Sequence, residues 1–256
     1  NPEALSVRLS DRHFGIGGDG IILVCPSKVA DAKMKMYNLD GSEGKMCGNG
    51  IRCVGKFLYD HGMVDYKEKD EITIETLSGI KSLKAYTTNG EVTSLRVDMG
   101  KAILDPKEIP VAMDKDKIVN EPVTIGDKEY NITCVSMGNP HCVVFMDDID
   151  NLDIEKIGPV FENDKLFPER VNTEFVTVLD DHTIKMRVWE RGSGETWACG
   201  TGACAVAVAA CENGFCKKGE DIKIKLKGGD LVINYTDETV YMTGNAEKVF
   251  EGEIEV

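Results

Sequence analysis

Hydrophobic and polar residues alternate along much of the chain, and this two-residue period is the pattern of half-buried β-strands. The clearest alternating segments lie at residues 33–36, 71–75, 95–99, 183–188 and 222–226. In each of them the apolar side chains would lie on one face of a sheet and the polar side chains on the other. The pattern therefore predicts a strand-rich protein.

Two segments depart from the alternation and predict helices, at residues 49–61 and 201–213. Each is followed at once by a glycine, which is the residue that most often ends a helix. Each also begins just after a cysteine, Cys47 in the first segment and Cys199 in the second. A strand-rich chain with few helices indicates the α+β class.

The two helical segments belong to an internal repeat. The pattern Cys-Gly-x-Gly occurs at residues 47–50 and again at residues 199–202, and in each copy the helix-ending glycine follows the cysteine by fifteen residues. The copies lie 152 residues apart, which is too long for a solenoid but suits two related domains. We therefore expect two pseudo-symmetric domains, each a strand-rich unit around one helix.

The repeat leads to predicted domain boundaries. We expect an N-terminal domain at residues 1–115, which carries the first cysteine of the repeat, and a C-terminal domain at residues 116–245, which carries the second. Residues 105–121 contain prolines and a run of charges, so they are the predicted crossing between the domains. Residues 246–256 are predicted to form a strand that packs back on the N-terminal domain.

Composition and charge narrow the class of partner. The 256 residues carry a formal net charge of −14 with 42% hydrophobic residues, as in an ordinary globular protein. A negative surface repels nucleic-acid phosphates and anionic membranes, so we expect neither as a partner. No apolar run reaches the length of a membrane span and no signal-peptide pattern opens the chain, so we expect a cytoplasmic protein.

The cysteines indicate neither a disulfide framework nor a metal site. There are nine, an odd number in a chain too long to need covalent cross-links, and they lack the spacings of a zinc site. A GxGxxG match at residues 15–20 leads into a strand-like segment instead of opening a helix, which argues against a dinucleotide cofactor. We therefore expect neither a structural metal nor a dinucleotide cofactor.

The duplicated cysteine motif has the chemical features of a stereoinversion site. A cysteine directly before a helix faces unpaired N–H groups, which favour the thiolate and should lower the thiol pKa. Those N–H groups can also hold a carboxylate, because the neighbouring glycines leave room for it. Two such thiols could supply a base on one face of an α-carbon and an acid on the other. A single such cysteine would more simply be a small residue at a tight turn.

Other candidates are less specific. Residues 137–141 and 172–174 form polar clusters, for each of which the sequence by itself favours a turn. Residues 190 and 191 could project from a strand end towards the second cysteine, or form an exposed ion pair. Cys53, Cys204 and Cys211 lie inside the predicted helices, where we interpret them as buried structural thiols.

Two longer motifs make the chain similar to a known family. NLDGSEGKMCGNGIRC at residues 38–53 and ERGSGETWACGTG at residues 190–202 resemble the signature segments of diaminopimelate epimerase. The resemblance covers nearly the whole chain. It implies the diaminopimelate-epimerase-like fold, in which each of two domains is a strand-rich barrel around a central helix.

The resemblance also implies a reaction and a homodimer. It implies interconversion of LL- and meso-diaminopimelate without cofactor or metal, in lysine and peptidoglycan-precursor biosynthesis, with Cys47 and Cys199 as the proton-transfer residues. The remaining matched positions fall into three groups: Asn38, Asn139, Asn172 and Arg191 at the distant end of the substrate; Gly48, Asn49, Gly200 and Thr201 at the reacting carboxylate; His141 and Glu190 beside the reacting amine.

Two alternatives remain open on the sequence. A proline or hydroxyproline racemase of the same fold also uses two cysteines, although Asn49 and Arg191 favour diaminopimelate. A non-catalytic binding relative is the other alternative, and the presence of both cysteines argues against it.

Overall fold

The alternating segments of the sequence form strands in the computed structural model, which describes residues 1–65, 69 and 71–255. All five predicted segments form strands, although residue 71 lies one position before its strand begins, and the α+β class is confirmed. The chain divides into two units, of which the first comprises Asn1–Asp98 and Gly244–Val256 and the second Met99–Thr243. Each helix in the described part of the chain falls short of the length and apolar character of a membrane crossing.

The first unit is a mixed sheet with two helices. Its strands follow the order β1-β2-β4-β5-β6, in which β2 and β4 are parallel and the other neighbours antiparallel, while β3 pairs with β2. The helix α2 contacts β1 and β5. The elements are α1 (Pro2–Ser10), β1 (Gly20–Cys25), β2 (Ala32–Asn38), β3 (Glu43–Gly44), α2 (Gly48–Asp60), β4 (Ile72–Thr76), β5 (Gly79–Thr88) and β6 (Glu91–Gly100).

The second unit is a larger mixed sheet around one buried helix. Its strands follow the order β7-β8-β9-β10-β11-β13-β14-β15, with β9 parallel to β10 and β11 parallel to β13, while β12 pairs with β11. The elements are β7 (Glu121–Ile125), β8 (Lys128–Ser136), β9 (Pro140–Phe145), α3 (Ile154–Glu162), β10 (Asn172–Asp180), β11 (Thr183–Glu190), β12 (Gly194–Thr196), α4 (Gly200–Glu212), β13 (Asp221–Leu226), β14 (Gly229–Tyr235) and β15 (Val240–Gly244).

Both predicted helices are confirmed, and each begins one residue earlier than the pattern indicated. The glycines that follow them, Gly62 and Gly214, have φ angles of 61° and 79°, the left-handed conformation that glycine adopts without a steric penalty. The helix α4 has apolar residues on all sides, and it is buried in contact with β8, β9, β10, β13 and β14. The helix α2 is amphipathic and leaves Cys53 and Phe57 exposed.

Two further helices, α1 and α3, are not among those that the sequence pattern predicted. The buried face of α1 carries serines, and the hydroxyl of Ser6 donates to the carbonyls of Tyr37 and Asn38. The helix α3 contains Gly158 and Pro159, both unfavourable inside helices. Its glycine is explained by packing, because a Cβ there would lie 2.3 Å from the ring of Trp189.

The segment predicted to cross between the domains lies instead within the second unit. Ile103 forms a β-bridge with Ser136, and Ile109 and Ile118 are fully buried in the hydrophobic core of that unit. The prolines and charges of residues 105–121 therefore mark an irregular but packed segment. The first unit ends at residue 98 rather than at the predicted residue 115 because these apolar side chains pack against the later strands.

The C-terminal segment lies with the first unit but is not a strand. Residues 245–255 have no regular secondary structure, and Val256 lies outside the described residues. The backbone carbonyl of Asn245 accepts a hydrogen bond from Arg52, and that of Glu255 accepts one from Arg8. Side-chain contacts to backbone carbonyls, instead of strand pairing, therefore hold this segment.

Candidate active site

The two cysteines of the repeat are the N-caps of the two helices. The Cys47 Sγ accepts a hydrogen bond from the Gly50 N–H at 3.3 Å, and the Cys199 Sγ accepts one from the Gly202 N–H at 3.4 Å. Both cysteines have extended backbone angles, as N-cap residues do. Each thiol therefore takes the place usually held by a serine or aspartate, with the free N–H groups of the first helical turn beside it.

The first turn of α2 carries a buried cation. Arg52 is 6% exposed, and its guanidinium donates to the Gly48 carbonyl and to the Asn49 Oδ1, each at 3.2 Å. Its Nε donates to the Asn245 carbonyl at 3.1 Å. Gly48 is buried and Cys47 half-buried. One guanidinium thus orders both the start of the helix and the C-terminal segment.

Asn38 is the last residue of β2. Its side-chain amide donates to the Ser42 hydroxyl at 3.0 Å, and its backbone N–H donates to the Ser42 carbonyl at 2.9 Å. The short turn between β2 and β3 is closed by these bonds. Asn38 is therefore held at the beginning of the segment that leads to the first cysteine.

At the start of α4 the thiol lies in a hydrogen-bonded cluster. The Cys199 Sγ is 3.5 Å from the Thr201 Oγ1, which accepts a hydrogen bond from the Asn139 amide at 3.3 Å. The Asn139 Oδ1 lies 3.0 Å from Nε2 of His141, and Nδ1 of His141 lies 2.7 Å from the Glu174 Oε1. A continuous chain of polar contacts thus joins the thiol to a buried carboxyl group.

Sheet topology explains why these residues meet. Because β9 and β10 are parallel, they begin at the same edge, and Asn172 lies opposite His141. The strand β11 is antiparallel to β10 and ends at that edge, with Trp189 opposite Thr173. Two strand beginnings and one strand end therefore converge beside the N-terminus of α4. The cluster around Cys199 is therefore built from segments of the second unit that are far apart in the sequence.

Asn172 joins the strand edge to the turn after β11. Its side-chain amide donates to the Pro140 carbonyl at 2.8 Å, and its Oδ1 accepts from the Arg191 backbone N–H at 3.0 Å. The Arg191 guanidinium donates to the Glu169 carbonyl at 2.8 Å. Asn172 and Arg191 are therefore brought together, as the resemblance implies.

A buried glutamate supports the same turn. Glu162 accepts from the Trp189 ring N–H at 2.7 Å and from the Gly192 backbone N–H at 2.9 Å. Arg170 donates to the same carboxylate at 3.1 Å. Glu162 thus holds the Trp189 ring on one side of residues 190 and 191 and the Gly192 backbone on the other, a role that no motif in the sequence indicates.

The environment of Cys199 raises the pKa of its thiol well above the ordinary value. Burial is the largest cause, followed by the charges of Glu190 and Glu174. The contacts with Thr201 and the Gly202 N–H act in the opposite direction but do not prevail. The prediction of a lowered pKa from helix position alone is therefore wrong for Cys199, because burial and two carboxyl groups outweigh the helix terminus.

Glu190 ends β11 at the edge beside α4. Its carboxylate accepts a hydrogen bond from the Thr196 hydroxyl on β12, the strand that pairs with β11. Gly200 is buried in the first turn of α4, and Thr201 is partly exposed. Eight of the predicted site residues belong to the second unit, and they lie at this strand edge or at the start of α4: Asn139, His141, Asn172, Glu190, Arg191, Cys199, Gly200 and Thr201.

One interpretation of the polar clusters needs correction and the other holds for most of its residues. Residues 172–174 begin β10 and are not a turn, whereas residues 137–139 form the turn between β8 and β9, and residues 140 and 141 begin β9. The carboxyl group of Glu174 is buried in the site although the sequence marked it only as part of a turn. Alternation could have indicated this, since Asn172 and Glu174 lie two residues apart and face the same side of a strand.

The other cysteines are separate from this chemistry. All nine are free, and the interpretation as a buried structural thiol is confirmed for Cys204, whereas Cys211 is only partly buried. It is wrong for Cys53, which lies on the exposed side of α2. Within residues 1–65, 69 and 71–255, no three histidine, cysteine, aspartate or glutamate side chains cluster in a way that could hold a metal ion.

Chemically, the site in the second unit combines a thiol, helical N–H groups and a histidine. The N–H groups of a helix start bind carboxylates and stabilise negative charge that develops next to them. A thiol beside them can exchange a proton with a carbon acid. The first unit repeats the thiol and the N–H groups, and its helix start carries the guanidinium of Arg52.

The fold has close relatives among solved structures. A probable proline racemase from Agrobacterium radiobacter K84 matches with a TM-score of 0.71 at 18% identity, over 95% of this chain and 78% of that chain. A phenazine biosynthesis protein of the PhzF family from Bacillus anthracis matches with a TM-score of 0.70 at 17% identity, over 99% and 88%. At these identities the similarity establishes the fold alone.

Sequence relatives are much closer. The diaminopimelate epimerase of Methanococcus maripaludis strain S2 is 54% identical over 258 residues, which cover 100% of this chain and 91% of that protein. The diaminopimelate epimerase of Acetivibrio thermocellus is 53% identical over 258 residues, with 100% and 90% coverage. The family model described as diaminopimelate epimerase matches residues 1–104 and 133–249. The chain belongs to the diaminopimelate epimerase family of isomerases.

Proposed function

We propose that the protein interconverts LL- and meso-diaminopimelate by transferring a proton at one α-carbon between the thiols of Cys47 and Cys199. The observation that carries the proposal is the duplicated N-cap, in which each thiol accepts a hydrogen bond from the N–H three residues later. Such a cysteine has a simpler explanation when it occurs once. Two of them, in a chain of this family, fit a reaction that needs two proton-transfer groups.

The stereochemistry requires two groups. Inversion at carbon takes a proton from one face and returns one to the opposite face, so a single fixed base would return it to the face from which it came. One cysteine thus begins as thiolate and the other as thiol, and their roles exchange for the reverse reaction. The high pKa of the Cys199 thiol suits a proton donor at neutral pH.

The helix starts supply the electrostatic stabilisation. Removing an α-proton places negative charge on the α-carbon and its carboxylate, and N–H groups aimed at that carboxylate lower the energy of the transition state. The residues proposed for this contact are Gly48, Asn49, Gly200 and Thr201. The mechanism invokes no cofactor, because two thiols and these N–H groups perform every step of the proton transfer.

The remaining polar residues are proposed to select the substrate. Asn38, Asn139, Asn172 and Arg191 would hold the distant amino-carboxylate end, for which amides and one guanidinium are suitable partners. His141 and Glu190 would lie beside the reacting amine. We further propose that the chain acts as a homodimer in lysine and peptidoglycan-precursor biosynthesis, and sedimentation velocity tests the dimer.

Proton NMR of the reduced protein in D₂O tests the function directly. With LL-diaminopimelate we expect loss of the α-proton signal and appearance of the meso form. L-proline in a parallel sample is the matched control, because the same fold includes a probable proline racemase. Exchange of proline alone would retain the two-thiol chemistry but contradict the substrate. Exchange of neither would contradict the proposed activity.

A further inference from the structure

The buried carboxyl group of Glu174 has no role in the proposed reaction. Its side chain is fully buried, as is that of His141, and its Oε1 lies 2.7 Å from the His141 Nδ1. Its other oxygen, Oε2, is buried without a hydrogen-bond partner among the residues that the structure describes. Burying an ionised carboxylate with one oxygen unpaired costs free energy. The position therefore needs an explanation.

The contacts of Asn139 indicate where the imidazole carries hydrogen. The Asn139 amide nitrogen donates to the Thr201 hydroxyl, so its carbonyl oxygen is the atom that faces Nε2 of His141. With the amide in this orientation its oxygen lies 3.0 Å from Nε2 as an acceptor, and Nε2 is then the nitrogen that carries a hydrogen. The question that remains is whether Nδ1 carries one too.

Three charged or titratable groups besides His141 act on the Glu174 carboxyl: Glu190 on β11, Cys199 before α4 and Cys142 on β9. Burial raises the pKa of Glu174, and the charge of Glu190 raises it further, while the charge and hydrogen bond of His141 lower it. The net direction is upward. Together with the unpaired Oε2, this favours a carboxyl group that keeps its proton and an Nδ1 that accepts it in a hydrogen bond.

We propose that Glu174 is a positioning residue that donates a hydrogen bond, as a neutral carboxyl group, to Nδ1 of His141 and thereby holds the neutral ring with its Nε2–H directed at Asn139. From Asn139 the polar contacts continue through Thr201 to the Cys199 thiol. The catalytic consequence rests on the proposed function, whereas the state of the imidazole does not.

The arrangement has a clear use at a proton-transfer site. A ring fixed through both nitrogens cannot rotate or exchange tautomers, so the groups next to the thiol keep one geometry. A neutral Glu174 also removes its own charge from the surroundings of Cys199, so that burial and the charge of Glu190 remain as the causes that raise the thiol pKa. The absence of a side chain at Gly202 leaves space for this carboxyl, since a Cβ there would lie 2.7 Å from its Oε1.

Nitrogen NMR of the histidines tests the proposal without substrate. The chain has four histidines, and a His141→Gln sample assigns the relevant ring. In the wild type at pH 7 we expect the neutral Nε2–H tautomer for His141, and the same in Glu174→Gln, whose amide can also donate to Nδ1. In Glu174→Met, which keeps the volume but donates nothing, the spectrum should lose this single form. An imidazolium or an Nδ1–H tautomer in the wild type would overturn the proposal.

Kinetics of the same variants test the catalytic consequence. We expect Glu174→Gln to keep most of the turnover, while Glu174→Met loses on the order of 10²-fold in kcat with little change in KM, as for a misplaced group. Glu212→Gln, a partly buried glutamate at the far end of α4, is the matched control and should match the wild type. Equal turnover in the Gln and Met variants would contradict the proposal. If Glu174→Met does not fold, the wild-type spectrum and the Gln variant still decide it.

The proposed function and the proposed role of Glu174 can fail separately. If the wild type exchanges no diaminopimelate α-proton, the proposed function fails, but the tautomer of His141 remains measurable. If exchange occurs and His141 is an imidazolium, the function stands and the role of Glu174 is refuted.

Discussion

The starts of α2 and α4 share a sequence motif and a cap geometry but differ in their surroundings. In both, a cysteine thiol accepts from the N–H of a glycine three residues later, at 3.3 Å and 3.4 Å. The helix α2 is amphipathic and its Cys47 is half-buried, whereas α4 is buried on nearly all sides and Cys199 is 6% exposed. A repeated motif thus ensures the same local structure but not the same environment.

The charges around the two helix starts also differ. The fifth residue after the cysteine is Arg52 in α2 and Cys204 in α4. The first unit therefore places a cation against its helix start, while the second places the carboxyl groups of Glu174 and Glu190 near the thiol. For Cys199 burial, and after it the charge of Glu190, outweighs the helix terminus and determines the direction of the pKa shift.

The largest effect is expected from removing either thiol. Cys47→Ser and Cys199→Ser should each lower diaminopimelate turnover by roughly 10²–10⁴-fold, the usual contribution of a proton-transfer group. Proton NMR in D₂O measures the loss, and circular dichroism checks the fold. Cys53→Ser, on the exposed side of α2, is the control and should remain active. Near-wild-type turnover in either of the first two variants would refute the two-thiol mechanism.

A smaller effect is expected on stability when a side chain is added at the start of each helix. A Cβ at residue 202 would lie 2.7 Å from the Glu174 Oε1, whereas a Cβ at residue 50 would lie 2.5 Å from the end of the flexible Ile22 side chain. Because the carboxyl is held by His141, we expect Gly202→Ala to lower the free energy of unfolding by about 1–3 kcal/mol. Gly50→Ala should cost less, because the apolar side chain can move.

Urea unfolding of both glycine variants measures the difference. Equal losses would mean that the carboxyl group at the start of α4 moves as easily as an apolar side chain, which would contradict the rigid cluster. A larger loss in Gly50→Ala would reverse the comparison.

The third effect concerns thiol reactivity. Because the Cys199 thiol has a raised pKa and is nearly inaccessible, it should react with iodoacetamide at pH 7 about tenfold or more slowly than Cys47, since each pKa unit lowers the thiolate fraction tenfold. Its rate should continue to rise with pH above about 8.5, where an ordinary thiol levels off. Peptide mapping with fragmentation follows each cysteine. Faster alkylation of Cys199 than of Cys47 at pH 7 would contradict the comparison.

Periodicity predicted the elements whose burial follows a regular pattern. The strands at residues 183–188 and 222–226 and both glycine-terminated helices were found where expected. The helix α1 was not predictable, because its buried residues are the serines Ser6 and Ser10, of which Ser6 donates to backbone carbonyls. The helix α3 was not predicted either, because Gly158 and Pro159 are unfavourable inside a helix. The glycine is explained only by the close packing of the Trp189 ring against it.

The sequence alone determined the α+β class, the two cysteine-capped helices and, through its motifs, the family, because these depend on local patterns and on residue identity. It did not reveal the cluster of Glu174, His141 and Asn139, since parallel pairing of β9 and β10 brings together residues that are 33 positions apart. Only the tertiary structure decided that the Cys199 thiol pKa is raised, because burial and neighbouring charges are properties of the packed chain and outweigh the local effect of a helix terminus.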